Sequence, residues 1–426
     1  MERTYVKEAL NKKDGEKVLL RGWVHDTRDL KKVRFLVLKD MTGRIQITGV
    51  ESKTDKDTFG LLDNMKRESA VEISGTVKDS KQAPGGKEIL PDKLTVIAEA
   101  GDPLPVDVSD FSKTELPIRL DNRFLDLHSK KAQAIFKIQS TISMNFRKYF
   151  VDNGFIEFQP PSVIGSSSEG GTELYKLKYF EKDAYLAQSP QLYKQMIACA
   201  MEKVVTITPV WRAEKHNTTR HLNESRQMDI EVAFADQMSI MKELEGVVKF
   251  MVTEINKNHK EDLETLGLKL KVPEAHYLSY DEICEMFDIK NGEDLSPNDE
   301  KRICEKFKDD IVFVHSWPTE QRGFYIMRKG EDAEAKITEG FDALYKGVEI
   351  SSGGQRIHIP ELLETMLKKK GLDPKDFKSY INSFRYGAPP HAGWSIGLER
   401  FTQTLLELDN IREAVLWPRD RDRLTP

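Results

Sequence analysis

The residues with most chemistry in them lie between Val210 and Phe234. An apolar alternating run, Val204 to Trp211, ends at Arg212. A polar loop from Glu214 to Asn223 then carries Lys215, His216, Arg220 and His221, and a second alternation, Met228 to Phe234, sets Asp229 and Glu231 between apolar neighbours. A guanidinium at the end of a strand can fork onto phosphate, and carboxylates inside a core require partners. One arginine and two carboxylates on a hairpin suit a nucleotide with its metal; the alternative is a charged hairpin on a solvated sheet edge. Further along, Glu349 and Ser352 supply hard oxygens suited to a magnesium ion. Gly353 and Gly354, just before Arg356, let backbone approach a ligand. An acidic strand can equally be a solvated edge. Last, the glycine-rich run Gly387 to Gly397 leads into a helix whose start can approach a nucleotide, with Arg400 able to lie over adenine and reach phosphate. No Ser or Cys stands with a base as a nucleophile, so catalysis here means positioning and charge neutralisation.

These residues need rigid elements beneath them. Hydrophobic alternation predicts five short strands in the first hundred residues: Val18–His25, Val33–Leu38, Ile45–Val50, Val71–Val77 and Leu94–Ala98, with an apolar helix Phe59–Met65 after the third. That order suggests a five-stranded OB-fold β-barrel. Phe35, among basic residues, is either barrel core or a platform for an unpaired base. Gln46 and Glu88 are polar residues in apolar surroundings. Pro103, Pro105 and Pro117 stiffen a hinge over 101–127. Residues 128–426 then form the second domain. There, Ala134 to Asn153 has helical periodicity and is followed by a strand, Phe155–Phe158, closing on Pro160-Pro161. Residues 165–172 are small and read as a flexible loop; Gln188-Ser189-Pro190 opens a helix to Met201, with Gln191 and Lys194 on one face. Residues 238–310 are mostly helical without a site signal, and Ile311–His315 and Gly323–Met327 read as strands.

With 426 residues, 39% hydrophobic and 32% charged, the chain has material for two or three domains with full cores. No apolar run approaches the ~20 residues a membrane helix needs. The start, MERTYVKEAL, lacks the apolar centre of a signal peptide. Cys199, Cys284 and Cys304 are far apart with no metal-type spacing, which points to a reducing compartment, the cytoplasm. A net charge of −5 argues against a general polyanion binder. Residues 1–100 nonetheless carry 20 Lys and Arg against 17 Asp and Glu, and the best basic patch is Arg28 to Arg34.

Arg212-Ala213-Glu214, the polar loop, and Arg220-His221-Leu222-Asn223-Glu224 resemble motif 2 of the class II aminoacyl-tRNA synthetases, most closely the aspartyl enzymes of archaeal type. The helix and strand from Ala134 to Pro161 resemble motif 1, the dimer interface; EISSGGQR (349–356) resembles the family's metal and amino-acid signature; Gly387 to Arg400 resembles motif 3. The resemblance spans essentially the whole chain. It implies an α+β fold, with an N-terminal anticodon-binding OB-fold barrel (1–100), a hinge (101–127) and a class II catalytic domain (128–426) built on an antiparallel β-sheet flanked by helices. It implies activation of L-aspartate by ATP with Mg2+, transfer to the 3′ end of tRNA(Asp), and a homodimer formed through motif 1.

Residue by residue, the resemblance implies catalytic roles for Arg212, Glu349 and Arg400. It implies that Glu169, Gln191, Lys194, Arg212, Asp229, Ser352 and Arg356 bind aspartate. For ATP it implies Arg212 to Glu214, Arg220 to Leu222 (with His221 between), Glu349, and Gly397, Leu398, Glu399 and Arg400; Glu349 and Ser352 hold the metal. In the barrel it implies base stacking on Phe35 and base reading by Gln46 and Glu88. His25 and Pro84 match positions where non-discriminating members carry His and Pro, which implies that tRNA(Asn) is charged as well. One departure stands out: where many relatives place an aromatic against adenine, this chain has Ser225-Arg226, so Arg226 is expected to take that role. The rival readings are an asparaginyl-tRNA synthetase, a tRNA-independent asparagine-forming paralogue, a discriminating aspartyl enzyme, and a nucleic-acid-binding barrel with a dead synthetase domain.

Overall fold

The computed structural model describes all residues except Asn64, Asp102, Asp110, Phe111 and 166–173, so the expected lid residue Glu169 lies outside the described residues. The chain divides into two units, Met1–Lys113 and Thr114–Pro426. The division lies between Lys113 and Thr114.

In the first unit, strands β1 (Lys17–Asp29), β2 (Val33–Asp40), β3 (Gly43–Val50), β4 (Ala70–Asp79) and β5 (Lys87–Ala98) close into a barrel in the order β1-β2-β3-β5-β4. Period-two alternation fills it: Val18, Leu20, Leu36, Leu38, Ile45, Ile47, Val71, Ile73 and Ile89 point inward and are buried. The intervening residues Phe35, Val37 and Gln46 therefore face outward, and closure removes the open edges that five strands would otherwise expose. The helix between β3 and β4 runs Lys56–Leu61, a few residues before its expected place.

In the second unit, β6 (Ile156–Glu157) follows the long helix Lys130–Asp152. A three-stranded sheet of β7 (Val163–Ile164), β8 (Lys176–Tyr179) and β9 (Lys182–Leu186) comes next. The main sheet is completed by β10 (Lys203–Trp211), β11 (Glu224–Ala233), β12 (Ala275–Ser279), β13 (Ile311–His315), β14 (Gly340–Tyr345), β15 (Val348–Gln355) and β16 (His391–Gly397). Its order is β12-β13-β14-β15-β16-β11-β10-β6. Pairing is antiparallel through the six central strands, with a parallel strand, β12 or β6, at each edge. The antiparallel sheet expected from the sequence is thus present, with one parallel strand added at each margin.

One face of this sheet is dry. Met228, Ile230, Phe341, Trp394 and Ile396 pack against Ile138, Ile142 and Phe146 of the long helix and Leu244, Val248 and Met251 of the helix Gln237–Asn258. Because strand side chains alternate, the same strands turn Asp229, Glu231, Asp342 and Ser395 to the opposite face. The segment Gly323–Met327, expected as a strand, is a turn with a single bridge, Ile326 to Arg356. The buried Arg328 guanidinium donates to the Ile326 carbonyl at 2.6 Å and to that of Gly323 at 3.4 Å, which curls the backbone.

Candidate active site

A cavity of about 350 Å³ opens on the polar face of the second unit's sheet. The hairpin β10–β11 contributes Arg212, Glu214, Arg220, His221 and Leu222 to its lining. The hairpin β14–β15 and the segment after it contribute Glu349, Ser352 and Arg356, and β16 with the helix Leu398–Leu405 contributes Gly397, Glu399 and Arg400. Gln191 and Asp229 also line it. The three separate stretches therefore meet in one place, because β11, β15 and β16 are sheet neighbours. Of the remaining expected residues, Ala213, Lys194 and Leu398 do not line the cavity.

Below its floor lies a fully buried charge network. Lys194 Nζ donates to Asp229 Oδ1 at 2.6 Å and to the Trp394 carbonyl at 3.1 Å, and stands 3.7 Å from Glu231 Oε2. Arg356 donates from Nε to Glu231 Oε1 at 2.9 Å and from Nη2 to Oε2 at 3.3 Å. Ser395 Oγ donates to Asp229 Oδ2 at 3.1 Å. Burial pushes the Asp229 carboxyl upward while Lys194 and Ser395 pull it back. The two cations expected to face a substrate are thus already balanced by the two carboxylates of β11. Of the two cations, Arg356 lines the cavity and Lys194 does not, and the Arg356 Nη1 makes no hydrogen bond among the described residues. Glycine makes this approach possible: a Cβ on Gly393 would stand 2.2 Å from Glu231 Oε2, and one on Gly353 2.6 Å from the Gly393 carbonyl oxygen.

At the other end, burial pushes the Glu349 carboxyl up to about 8; the Asp342 charge adds to this, and Arg400 and Arg322 oppose it. The Glu349 N–H donates to Glu300 Oε2 at 3.4 Å, and burial raises the Glu300 carboxyl too. Desolvated carboxylates with too little positive charge nearby are what a divalent cation relieves, so Glu349 and Ser352 fit a magnesium ion. Among the described residues no group of three or more His, Cys, Asp or Glu could hold a metal alone, so such an ion would draw its other ligands from nucleotide and water.

The adenine expectation for Arg226 is not met. Alternation in β11 sends Ser225 and Gln227 to the cavity and Arg226 away from it, where its guanidinium stands 3.2 Å from Glu224 and 3.9 Å from Glu399. Burial pushes Glu399 up to about 7, and the Arg226 N–H, donating at 2.9 Å, pulls it down. Sequence reasoning missed Glu300, Arg322 and Tyr325. Glu300 sits in the helix Pro297–Phe307, within the charged stretch thought to hold no site residue, and no local pattern marks it. Arg322, just before Gly323-Phe324-Tyr325, is a lone basic residue beside an aromatic run, a faint signal at best.

On the barrel, Phe35 is half-buried and faces outward beside Thr48, its β3 partner. Gln46 pairs with Glu88 across β3 and β5; its Nε2 donates to Glu88 Oε2 at 3.1 Å, and Thr48 Oγ1 donates to the same oxygen at 2.6 Å. Phe35, Gln46 and Glu88 therefore share one outer face. His25 sits at a register shift in β1, and exposed Pro84 opens a short 3-10 turn, Pro84–Gly86.

A family model described as tRNA synthetases class II (D, K and N) matches residues 115–421, and one described as an OB-fold nucleic acid binding domain matches 18–97. The chain belongs to the class II aminoacyl-tRNA synthetases. The synthetase is 45% identical to the aspartate–tRNA(Asp/Asn) ligase of Methanothermobacter thermautotrophicus, over 99% of this chain and 98% of that protein. It is 42% identical to the aspartate–tRNA(Asp) ligase of Thermococcus kodakarensis, over 99% of both. In three dimensions it is similar to the crystal structure of asparaginyl-tRNA synthetase from Pyrococcus horikoshii complexed with asparaginyl-adenylate, with a TM-score of 0.94 at 34% identity over the whole of both chains. As a synthetase it is a ligase that joins an amino acid to tRNA. No described helix is long and apolar enough to cross a membrane.

Proposed function

We propose that the chain is an ATP- and Mg2+-dependent aspartate–tRNA ligase that charges tRNA(Asp) and tRNA(Asn). The observation that carries the amino-acid choice is Arg356: buried, held by Glu231 through Nε and Nη2, and part of the cavity lining. A guanidinium has donors only, so it favours a carboxylate over an amide. Lys194 acts one layer below, fixing Asp229 at the cavity wall. The α-carboxylate of aspartate attacks the α-phosphorus of ATP, forming aspartyl-adenylate and releasing pyrophosphate, and a ribose hydroxyl at the 3′ end of tRNA then takes the aspartyl group, releasing AMP and a proton. Arg212 stabilises charge on the α-phosphate, Arg220 holds the terminal phosphates, and Arg400 lies along the nucleotide. Magnesium, when bound at Glu349 and Ser352, supplies further charge neutralisation of the phosphates.

Asparagine is the second reading, and one observation favours it. Asp229 and Glu231 neutralise Lys194 and Arg356, which lowers the electrostatic contrast between acid and amide. Pyrophosphate exchange decides: exchange with aspartate at least a hundredfold more efficient than with asparagine is expected, and the reverse order overturns the reading.

For tRNA, the outer barrel face with Phe35, Gln46 and Glu88 would take anticodon bases. The Asp and Asn anticodons end in C and U. Pro84 offers no side-chain donor or acceptor with which to tell them apart, and base selection weakens by about the 1–3 kcal/mol of one contact. Two transcripts differing only in that letter test it: charging of both is expected, and a preference for C above about a thousandfold overturns it. We further assign a homodimer through the helix Lys130–Asp152 and β6, whose Met144, Val151 and Ile156 are exposed apolar residues; sedimentation of the purified chain tests this. The cytoplasm is the compartment that fits three free cysteines.

A further inference from the structure

Arg322 lies outside all three motif stretches, yet its side chain is enclosed. Its guanidinium forks onto Asp342, with Nη1 donating to Oδ1 at 2.8 Å and Nη2 donating to Oδ2. Nη1 also reaches Ser352 Oγ at 3.3 Å. The guanidinium carbon sits 4.2 Å from the ring centre of Trp317, which is itself buried and tied by Nε1 to the Val314 carbonyl at 2.8 Å. Asp342 and Ser352 are directly paired across β14 and β15, and Glu349 stands in β15 on the same hairpin. A positive group is therefore clamped between an aspartate and the serine proposed as a metal ligand, held from behind by an aromatic face.

We infer that Arg322 is a positioning residue acting as a built-in counter-cation. In the ATP-free enzyme it takes up both oxygens of Asp342 and the hydroxyl of Ser352, so a divalent ion finds no ready carboxylate pair on this hairpin and enters only with its nucleotide. With the fork in place the hairpin offers one carboxylate outside it, Glu349; without it, two neighbouring carboxylates and a free hydroxyl would form an oxygen-rich cleft that attracts a divalent cation unaided. An arginine suits this role because its planar fork meets both carboxylate oxygens at once and it cannot lose its proton.

This rests on the reading that Glu349 and Ser352 receive the metal, and the two can fail separately. Direct Mn2+ binding to the ATP-free protein, followed by electron paramagnetic resonance, tests Arg322 without reference to activity. Wild type should bind Mn2+ only weakly, Arg322→Gln should bind it at least tenfold more tightly, and Arg322→Lys, which keeps the charge but frees one Asp342 oxygen, should rise less than Gln. A folded Arg322→Gln protein with wild-type Mn2+ affinity overturns the inference, as does wild type that binds Mn2+ tightly before ATP is added. Should the Gln variant fail to fold, Arg322→Lys takes its place: a rise above wild type supports the inference and no rise overturns it. Failure of Mn2+ to bind wild type even with ATP, or loss-free binding in Glu349→Gln with ATP, would instead overturn the metal site itself.

Discussion

The barrel face and the catalytic floor both present polar side chains from neighbouring strands, yet they do so at very different energetic stakes. On the barrel, Gln46, Thr48 and Glu88 bond to one another at the surface of a finished hydrophobic core. Glu88 carries the one charge of this trio, and the exposed Lys78 stands 4.0 Å from it. On the catalytic floor, Lys194, Asp229, Glu231 and Arg356 are at most 2% exposed, and removal of any one leaves a partner charged and dry. The difference teaches that the barrel can afford variable readers, whereas the floor behaves as a unit.

The largest break of that contrast is Arg356→Leu. It should lower unfolding free energy by about 3–5 kcal/mol, because Glu231 loses both of its hydrogen bonds while buried and keeps only Lys194, shared with Asp229, 3.7 Å away, and should abolish aspartate-dependent pyrophosphate exchange. Urea denaturation and exchange measured together check this. The double variant Arg356→Leu/Glu231→Leu should recover much of the stability and none of the exchange, separating the two roles.

A smaller effect concerns Glu399 at the nucleotide end. Its ordinary value is 4.5 and burial pushes it to about 7. The folded state therefore holds a proton that the unfolded state releases above about 4.5, so this stabilising contribution is complete below 4.5 and lost as pH rises through 7. Stability attributable to this group should fall by roughly 1–3 kcal/mol between pH 4.5 and 7, and Glu399→Gln should flatten that slope in urea titrations across the window. A slope unchanged by the substitution would show that Glu399 ionises normally.

The smallest effect lies on the barrel. Glu88→Ala removes the acceptor shared by Gln46 and Thr48 and should cost only ~1 kcal/mol of stability. It should raise the apparent KM for tRNA while exchange, which needs no tRNA, stays at wild type. Loss of exchange in Glu88→Ala would erase the distinction drawn between the two regions.

What the sequence by itself determined is the set of local patterns and their order. Alternation of period two in residues 18–98 specified a barrel, while the outward placement of Phe35 and Gln46 was decided only when closure turned Leu36, Leu38, Ile45 and Ile47 inward. Motif residues Arg212, Glu349, Arg356 and Arg400 were legible because their types and neighbours are unusual over short stretches, and adjacency of β11, β15 and β16 brought them together. The tertiary structure alone decided the pairing of charges. That Lys194 meets Asp229, that Arg356 meets Glu231 125 residues away, and that Arg322 closes on Asp342 are consequences of strand register and helix docking. The same holds for Arg226, which one step of strand alternation turned away from the cavity, and for Glu300, delivered by a helix whose own sequence says nothing of the site. A side chain's type is local, but the electric field it sits in is summed over every element folded around it.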